Sequence, residues 1–292
     1  MRLYALALLV ATSVSFTFVA GKYFTGKVPQ VERLEAAAKE PEVLEKEKIR
    51  VVAVSPTPEP ETALIAIQYP KEGAVIDGNP VWLQLRVNGY SLGSDSDFDR
   101  SDEIFDSNLG QTLHVIIDNK PYFPINGPSV QPFNESGFYY NQNYRFKVPE
   151  KLSDGFHTVR VFPARSYGES LKGEKTFQAS YFYVGNKGSG SQTDELSKPY
   201  LTYNEPSDQI RYKEEVPILL DFYLSNCDLS PDGYKVRLSV DGKNQRILTS
   251  WQPYYIYGLP KGTHTLQLEL IDSSKKPVPG LFNNNMRKIV VD

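Results

Sequence analysis

The feature that most constrains this chain is a turn-and-strand phrase that occurs twice. Asp118-Asn119-Lys120 follows Leu113-His114-Val115-Ile116-Ile117, and Gly155-Phe156-His157-Thr158 comes later. Asp241-Gly242-Lys243 follows Val236-Arg237-Leu238-Ser239-Val240, and Gly262-Thr263-His264-Thr265 comes later. Each copy reads as a strand, a tight turn, a connection, and a second strand opened by Gly-x-His-Thr. A phrase written in duplicate predicts two related β modules in tandem.

The surrounding sequence supports that division. Val81, Leu83, Leu85 and Val87 alternate with Trp82, Gln84 and Arg86, which is the period of a strand with one face turned inward. Ile218, Leu220, Phe222 and Leu224 repeat the pattern in the second copy. Val159 and Val161 follow His157 as Leu266, Leu268 and Leu270 follow His264. The chain has 292 residues, enough for two modules of roughly 100–150 residues each. The expected fold class is all-β: two tandem antiparallel sandwiches after an N-terminal hydrophobic helix. The expected boundaries are a leader over 1–27, a spacer over 28–62, a first sandwich over 63–186, a flexible linker over 187–198 and a second sandwich over 199–292. The first module is longer, with insertions near residues 91–109 and 124–149.

The paired turns Asp118-Asn119-Lys120 and Asp241-Gly242-Lys243, with the two Gly-x-His-Thr openings, resemble bacterial immunoglobulin-like or fibronectin type III-like envelope domains. Leu259-Pro260-Lys261-Gly262-Thr263-His264-Thr265-Leu266 is similar to the late hairpin of such modules. The resemblance spans roughly residues 63–292 and implies an adhesion, spacer or recognition role without catalysis. The sequence departs from the antibody-type pattern, since Cys227 is its one cysteine and no intersheet disulfide can form.

Residues 3–20, LYALALLVATSVSFTFVA, carry no charge and are flanked by Arg2 and Lys22. Such a run is a signal peptide or a single membrane span. Phe18 is a poor match to the small residue that cleavage after Ala20 would need, so an uncleaved anchor is expected. Behind it, VERLEAAAKE favours helix, and Ser55-Pro56-Thr57-Pro58-Glu59-Pro60 favours extended chain, which together read as a spacer or tail. This places the globular part in the cell envelope or outside the cell, with the membrane as one partner through the N-terminal segment.

Charge is nearly balanced, 32 Lys plus Arg against 35 Asp plus Glu, with no basic stripe for nucleic acid. There is no Gly-x-Ser-x-Gly elbow and no phosphate-cradling glycine loop, so no enzyme is expected. Three sets of side chains offer chemistry. Asp95, Asp97 and Asp99 match the first ligand positions of a calcium loop, but Arg100 stands where a glycine belongs and Asp106 replaces the bidentate glutamate. A solvated acidic loop is the plainer reading. Phe138, Tyr139, Tyr140 and Tyr144 in the second insertion, with Trp251, Tyr254 and Tyr255, could bind a protein or stack on a glycan. The alternative is that these rings seal the sandwich ends. His157 and His264 share parity with the apolar faces of their strands, and are expected to be partly buried and bonded to a neighbouring loop. His114 has the outward parity and is expected at the surface. The expected function is therefore a non-catalytic envelope spacer or protein-recognition module, with a carbohydrate-binding module as the alternative.

Overall fold

A computed structural model describes residues 49–127, 143–187 and 196–292. The leader, the helical part of the spacer, Phe138, Tyr139 and Tyr140, and most of the linker lie outside the described residues. Among the described residues, no helix is long and apolar enough to cross a membrane.

Among the described residues the regular structure is nearly all strand, in four sheets. The first sandwich joins β2 (Leu64–Tyr69), β4 (Trp82–Asn88) and β7 (Asn143–Lys147) in one sheet. Its other sheet has the order β3-β9-β8-β5-β6, from β3 (Ala74–Ile76), β9 (Gln178–Val184), β8 (Gly155–Ala164), β5 (Thr112–Ile117) and β6 (Phe123–Ile125). The second sandwich repeats this order. Its smaller sheet contains β10 (Tyr200–Glu205), β12 (Ile218–Ser225) and β15 (Tyr254–Tyr257). Its larger sheet runs β11 (Arg211–Tyr212), β17 (Asn284–Val291), β16 (Gly262–Ile271), β13 (Lys235–Val240), β14 (Asn244–Leu248). In each sandwich the first strand is split: one half pairs antiparallel in the small sheet, and the other pairs parallel with the last strand. Two sheets in this order are an immunoglobulin-like arrangement.

The expected alternation builds the cores. Leu83, Leu85, Val115 and Val161 are fully buried in the first, and Leu220, Leu238, Leu266 and Leu268 in the second. The duplicated phrase proves to be a lock between adjacent strands. Asp118 and Asp241 both adopt positive φ, 55° and 51°, at the tight turn. Asp118 Oδ1 accepts from the Thr158 amide at 3.0 Å, and Asp241 Oδ1 from the Thr265 amide at 2.8 Å. Their Oδ2 atoms meet His157 Nδ1 at 2.9 Å and His264 Nδ1 at 2.8 Å. The Nε2 atoms face the Ser153 and Pro260 carbonyls at 2.8 and 2.7 Å. Both ring nitrogens of each histidine therefore face acceptors, which suits imidazolium. The Asp118 hydrogen bond raises the His157 pKa against burial, and at His264 the bonds to Asp241 and Pro260 outweigh the burial that opposes them.

One segment departs from expectation. Residues 50–53, assigned above to the spacer, form β1 (Arg50–Ala53), which pairs antiparallel with β15 of the second sandwich, from Arg50↔Tyr257 to Ala53↔Tyr254. Ile49 and Val51 enter the second core. The physical reason lies in the short join between β14 and β15: residues 249–253 leave no room for a strand beside β15. That edge would otherwise expose unpaired backbone groups. From residue 49 onward the chain thus enters the second sandwich, builds the first, and returns.

The histidine locks have a signed pH dependence. Each pKa is raised on folding, so the stabilisation is complete below the unfolded value of about 6.5 and fades as pH rises through the folded value. His157→Gln should lower stability by about 1 kcal/mol at pH 6 and by less at pH 8.5, read from melting curves. His264→Gln should cost less, because its partner Asp241 is 42% exposed and screened by water.

Candidate functional site

The richest chemistry lies where the sandwiches meet. In β5, Leu113, Val115 and Ile117 point into their own core, while Thr112, His114 and Ile116 take the opposite face. In β12, Ile218, Leu220, Phe222 and Leu224 point inward, leaving Leu219, Asp221 and Tyr223 outward. These outward faces are not solvated. Ile116, Tyr122 and Phe162 pack with Tyr200, Tyr223 and Phe282. Ile104 and Tyr167 pack with Leu219 and Tyr255. Every residue of β5 and β10 is buried as a result.

A polar chain runs through this apolar contact. Asp221 is fully buried; its Oδ2 accepts from Ser170 Oγ at 2.6 Å and Asn204 Nδ2 at 2.8 Å, and its Oδ1 from Lys172 Nζ at 2.5 Å. Asn204 Nδ2 also donates to the Gly168 carbonyl at 2.7 Å, which fixes the amide. Asn204 Oδ1 then accepts from His114 Nδ1 at 2.6 Å. Burial drives the His114 pKa down to about 4, so the ring is neutral with its proton on Nδ1. His114 thus corrects the expectation of exposure. Its outward parity held, but the outward face is covered by the second sandwich.

Glu205 sits beside this chain, 3% exposed. Tyr122 Oη and the Ser207 amide each donate to it at 2.6 Å, and Tyr212 Oη at 3.2 Å. Burial pushes its pKa up to about 8 against these bonds. Gly168, at φ 89°, makes room for it: a Cβ there would lie 2.9 Å from Glu205 Cγ. Tyr122 stacks on His114 with centroids 3.6 Å apart. Beside this pair opens a cavity of about 230 Å³ lined by His114, Tyr122, Arg165, Glu205 and Tyr212, with Phe105 and Leu109 at its rim.

The proline-rich segment straps the junction from outside. Thr57 donates its amide to Glu169 Oε1 at 2.9 Å and its hydroxyl to Oε2 at 2.6 Å. Arg100, from the helical turn α1 (Arg100–Glu103), pairs with the same carboxylate and donates to the Ser55 carbonyl at 2.6 Å. Glu59 accepts from the amides of Lys172 at 2.5 Å and Gly173 at 2.7 Å. Residues 55–59 are therefore structural ties, which departs from their expected role as spacer.

The residues singled out from sequence are dispersed. Asp95, Asp97 and Asp99 are exposed, and no cluster able to hold a metal occurs among the described residues. The buried members of that insertion, Ser96 and Ile104, dock it on the junction, with Ser96 Oγ accepting from the Ser166 amide at 3.0 Å. Tyr144 is half-buried against the first core. Tyr254 is in the second core, and Tyr255 is in the junction, donating to Glu103 at 2.8 Å. Trp251 donates Nε1 to the Phe222 carbonyl at 2.9 Å and meets Tyr223 edge-on. Asp221, Asn204 and Glu205 were missed. A signal existed: Asp221 is the one charged residue in Ile218-Leu219-Leu220-Asp221-Phe222-Tyr223-Leu224. An ionised side chain in so apolar a strand implies a buried partner.

No family model matches the chain, and no curated protein does. Among solved structures it is similar to fibronectin(III)-like modules of Clostridium thermocellum CbhA, at 11% identity over 78% of this chain and 94% of that one, with a TM-score of 0.27. It is also similar to Bacteroides ovatus SGBP-B, solved with a mixed-linkage heptasaccharide, at 13% identity over 81% and 71%, with a TM-score of 0.22. Sidekick-1 immunoglobulin domains 1–4 match at 11% identity over 81% of this chain and 51% of that one, with a TM-score of 0.21. These scores are low, and the fold assignment rests on strand order.

The junction's central pair can be tested directly. Lys172→Met removes the cation from a carboxylate with no access to water. A stranded buried charge costs about 3–5 kcal/mol, and urea unfolding should show a loss of that size.

Proposed function

We propose that this chain is a non-catalytic recognition module of the cell envelope, tethered by residues 3–20, in which two sandwiches joined as one body present a contact surface at their junction. The observation that carries this reading is the use made of the junction's ionisable groups. Asp221, Glu169 and Glu59 each hold two or more structural donors, from Lys172, Ser170, Asn204, Arg100, Thr57 and Gly173. Groups so engaged fix geometry. The surface around them offers exposed apolar residues, Phe105 at 40% and Leu109 at 41%, on an insertion that the second sandwich lacks. Large apolar side chains held on a firm loop suit a protein contact.

The described aromatic residues lend little to a glycan platform. Trp251, Tyr254 and Tyr255 are engaged in packing, and of the described candidates Tyr144 is half-buried against the first core.

A photo-crosslinking residue placed at Phe105 or Leu109 in the native envelope should give a discrete adduct, while one at Ile247, 42% exposed on the outer face of the second sandwich's larger sheet, should not. Equal labelling at the three positions, or none at the junction, would contradict the reading. The tether is tested by intact mass: the mature chain should retain residues 1–20.

A further inference from the structure

Building on the reading of the junction as a fixed scaffold, we infer that the cavity between the sandwiches binds an alkylammonium group, carried either by a small free amine or by a lysine side chain of a partner. Three features of its wall converge on a cation.

The first is an unbalanced carboxylate. Glu205 is 3% exposed, and its three donors, Tyr122 Oη, the Ser207 amide and Tyr212 Oη, are all neutral. Buried Asp221 adds further negative potential. Burial therefore keeps this carboxyl protonated at neutral pH, and it can carry its charge there only beside a cation. Arg165 is the one cation among the lining residues, but it is turned to other work. It donates to Gln111 Oε1 at 3.2 Å and to the Pro58 carbonyl, and it stacks over Phe98 at 4.7 Å.

The second is the ring content of the wall. Tyr122, Tyr167, Tyr212 and Phe105 all border the cavity. Aromatic faces attract alkylammonium groups, and the attraction grows where water is excluded. The third is His114. Its Nδ1 proton is committed to Asn204, so the neutral ring keeps a lone pair on Nε2, and no described residue donates to that atom. An ammonium carries three donors and no acceptor, and His114 and Glu205 both line the cavity it would enter.

Size sets the class more narrowly. A cavity of about 230 Å³ fits one side-chain-sized group. Pockets for drug-sized ligands run from roughly 300 Å³ upward. The exposed rings and methyls of Phe105 and Leu109 lie at the rim, where the rest of an amine or a partner's backbone would rest.

Occupancy is coupled to a proton. With its pKa near 8, Glu205 holds a proton at neutral pH when the cavity is empty, and an incoming cation displaces it. Affinity should therefore rise with pH through about 8, until the amine itself deprotonates above roughly pH 10.

The test uses the full chain in detergent, titrated by calorimetry with n-butylammonium chloride and separately with Nα-acetyl-lysine methylamide. n-Butanol is the uncharged control. Saturable binding of butylammonium, tighter at pH 8.5 than at 6.5 and absent with butanol, is expected. Glu205→Gln should weaken it at least about tenfold, and Phe105→Ala about threefold. Phe105 is on the surface, so that variant decides the matter if Glu205→Gln does not fold. Binding of butylammonium alone would identify a free amine, and binding of both probes a lysine side chain. No saturable binding, an equal response to butanol, or unchanged affinity in both variants would overturn the inference. If the sandwiches move as one body and nothing binds, the site falls and the scaffold stands. If they reorient independently yet amine binds, the scaffold reading falls instead.

Discussion

The fixed point of this structure is a carboxylate that water cannot reach. Asp221 projects from the outer face of β12 into the contact between two sandwiches, and the contact is arranged around it. Lys172 and Ser170 come from one side, Asn204 from beside it, and His114 completes the chain through Asn204. Apolar packing supplies most of the driving force, because the outer faces of β5, β8, β12 and β15 carry rings and aliphatic groups that would otherwise face solvent. Packing alone is non-directional. The polar chain selects one register, since any sliding would leave a buried charge unpaired.

Chain path reinforces that choice. β1 must be in place before the second sandwich has its full complement of strands, yet the whole first sandwich lies between β1 and β10 in sequence. The second core, with Ile49 and Val51 in it, therefore closes over contacts of long sequence separation. Residues 55–59 lead away from β1, which pairs with the second sandwich, and are bonded to Glu169, Lys172 and Gly173 of the first. Strand, strap and polar chain thus hold the halves together by three separate means.

Much of the fold was legible in the sequence. The duplicated Asp turns and Gly-x-His-Thr openings located corresponding strands in the two modules, and the structure shows why they are spelled alike: each Asp–His pair locks its turn to the neighbouring strand. Period-two alternation found the inner faces of β4, β5 and β12. What alternation cannot report is what covers the other face. His114 and Asp221 have outward parity, and only the neighbouring module makes them interior. The proline-rich stretch misled for a similar reason. Ser55 to Pro60 forms neither helix nor strand, as its composition suggests, but such a segment serves as well for a strap as for a spacer. The acidic insertion was read by its carboxylates, while its placement depends on Ser96, Phe98 and Ile104, which carry no such signal.

Because each sandwich has its own core and the rest follows from their union, relative motion is the quantity to measure. Residual dipolar couplings from amides of β4, β5 and β8 in the first sandwich and β12, β13 and β16 in the second report on it without perturbing the protein. A single alignment tensor should fit both sets, as for one rigid body. Two tensors of different magnitude would show independent reorientation and contradict the account.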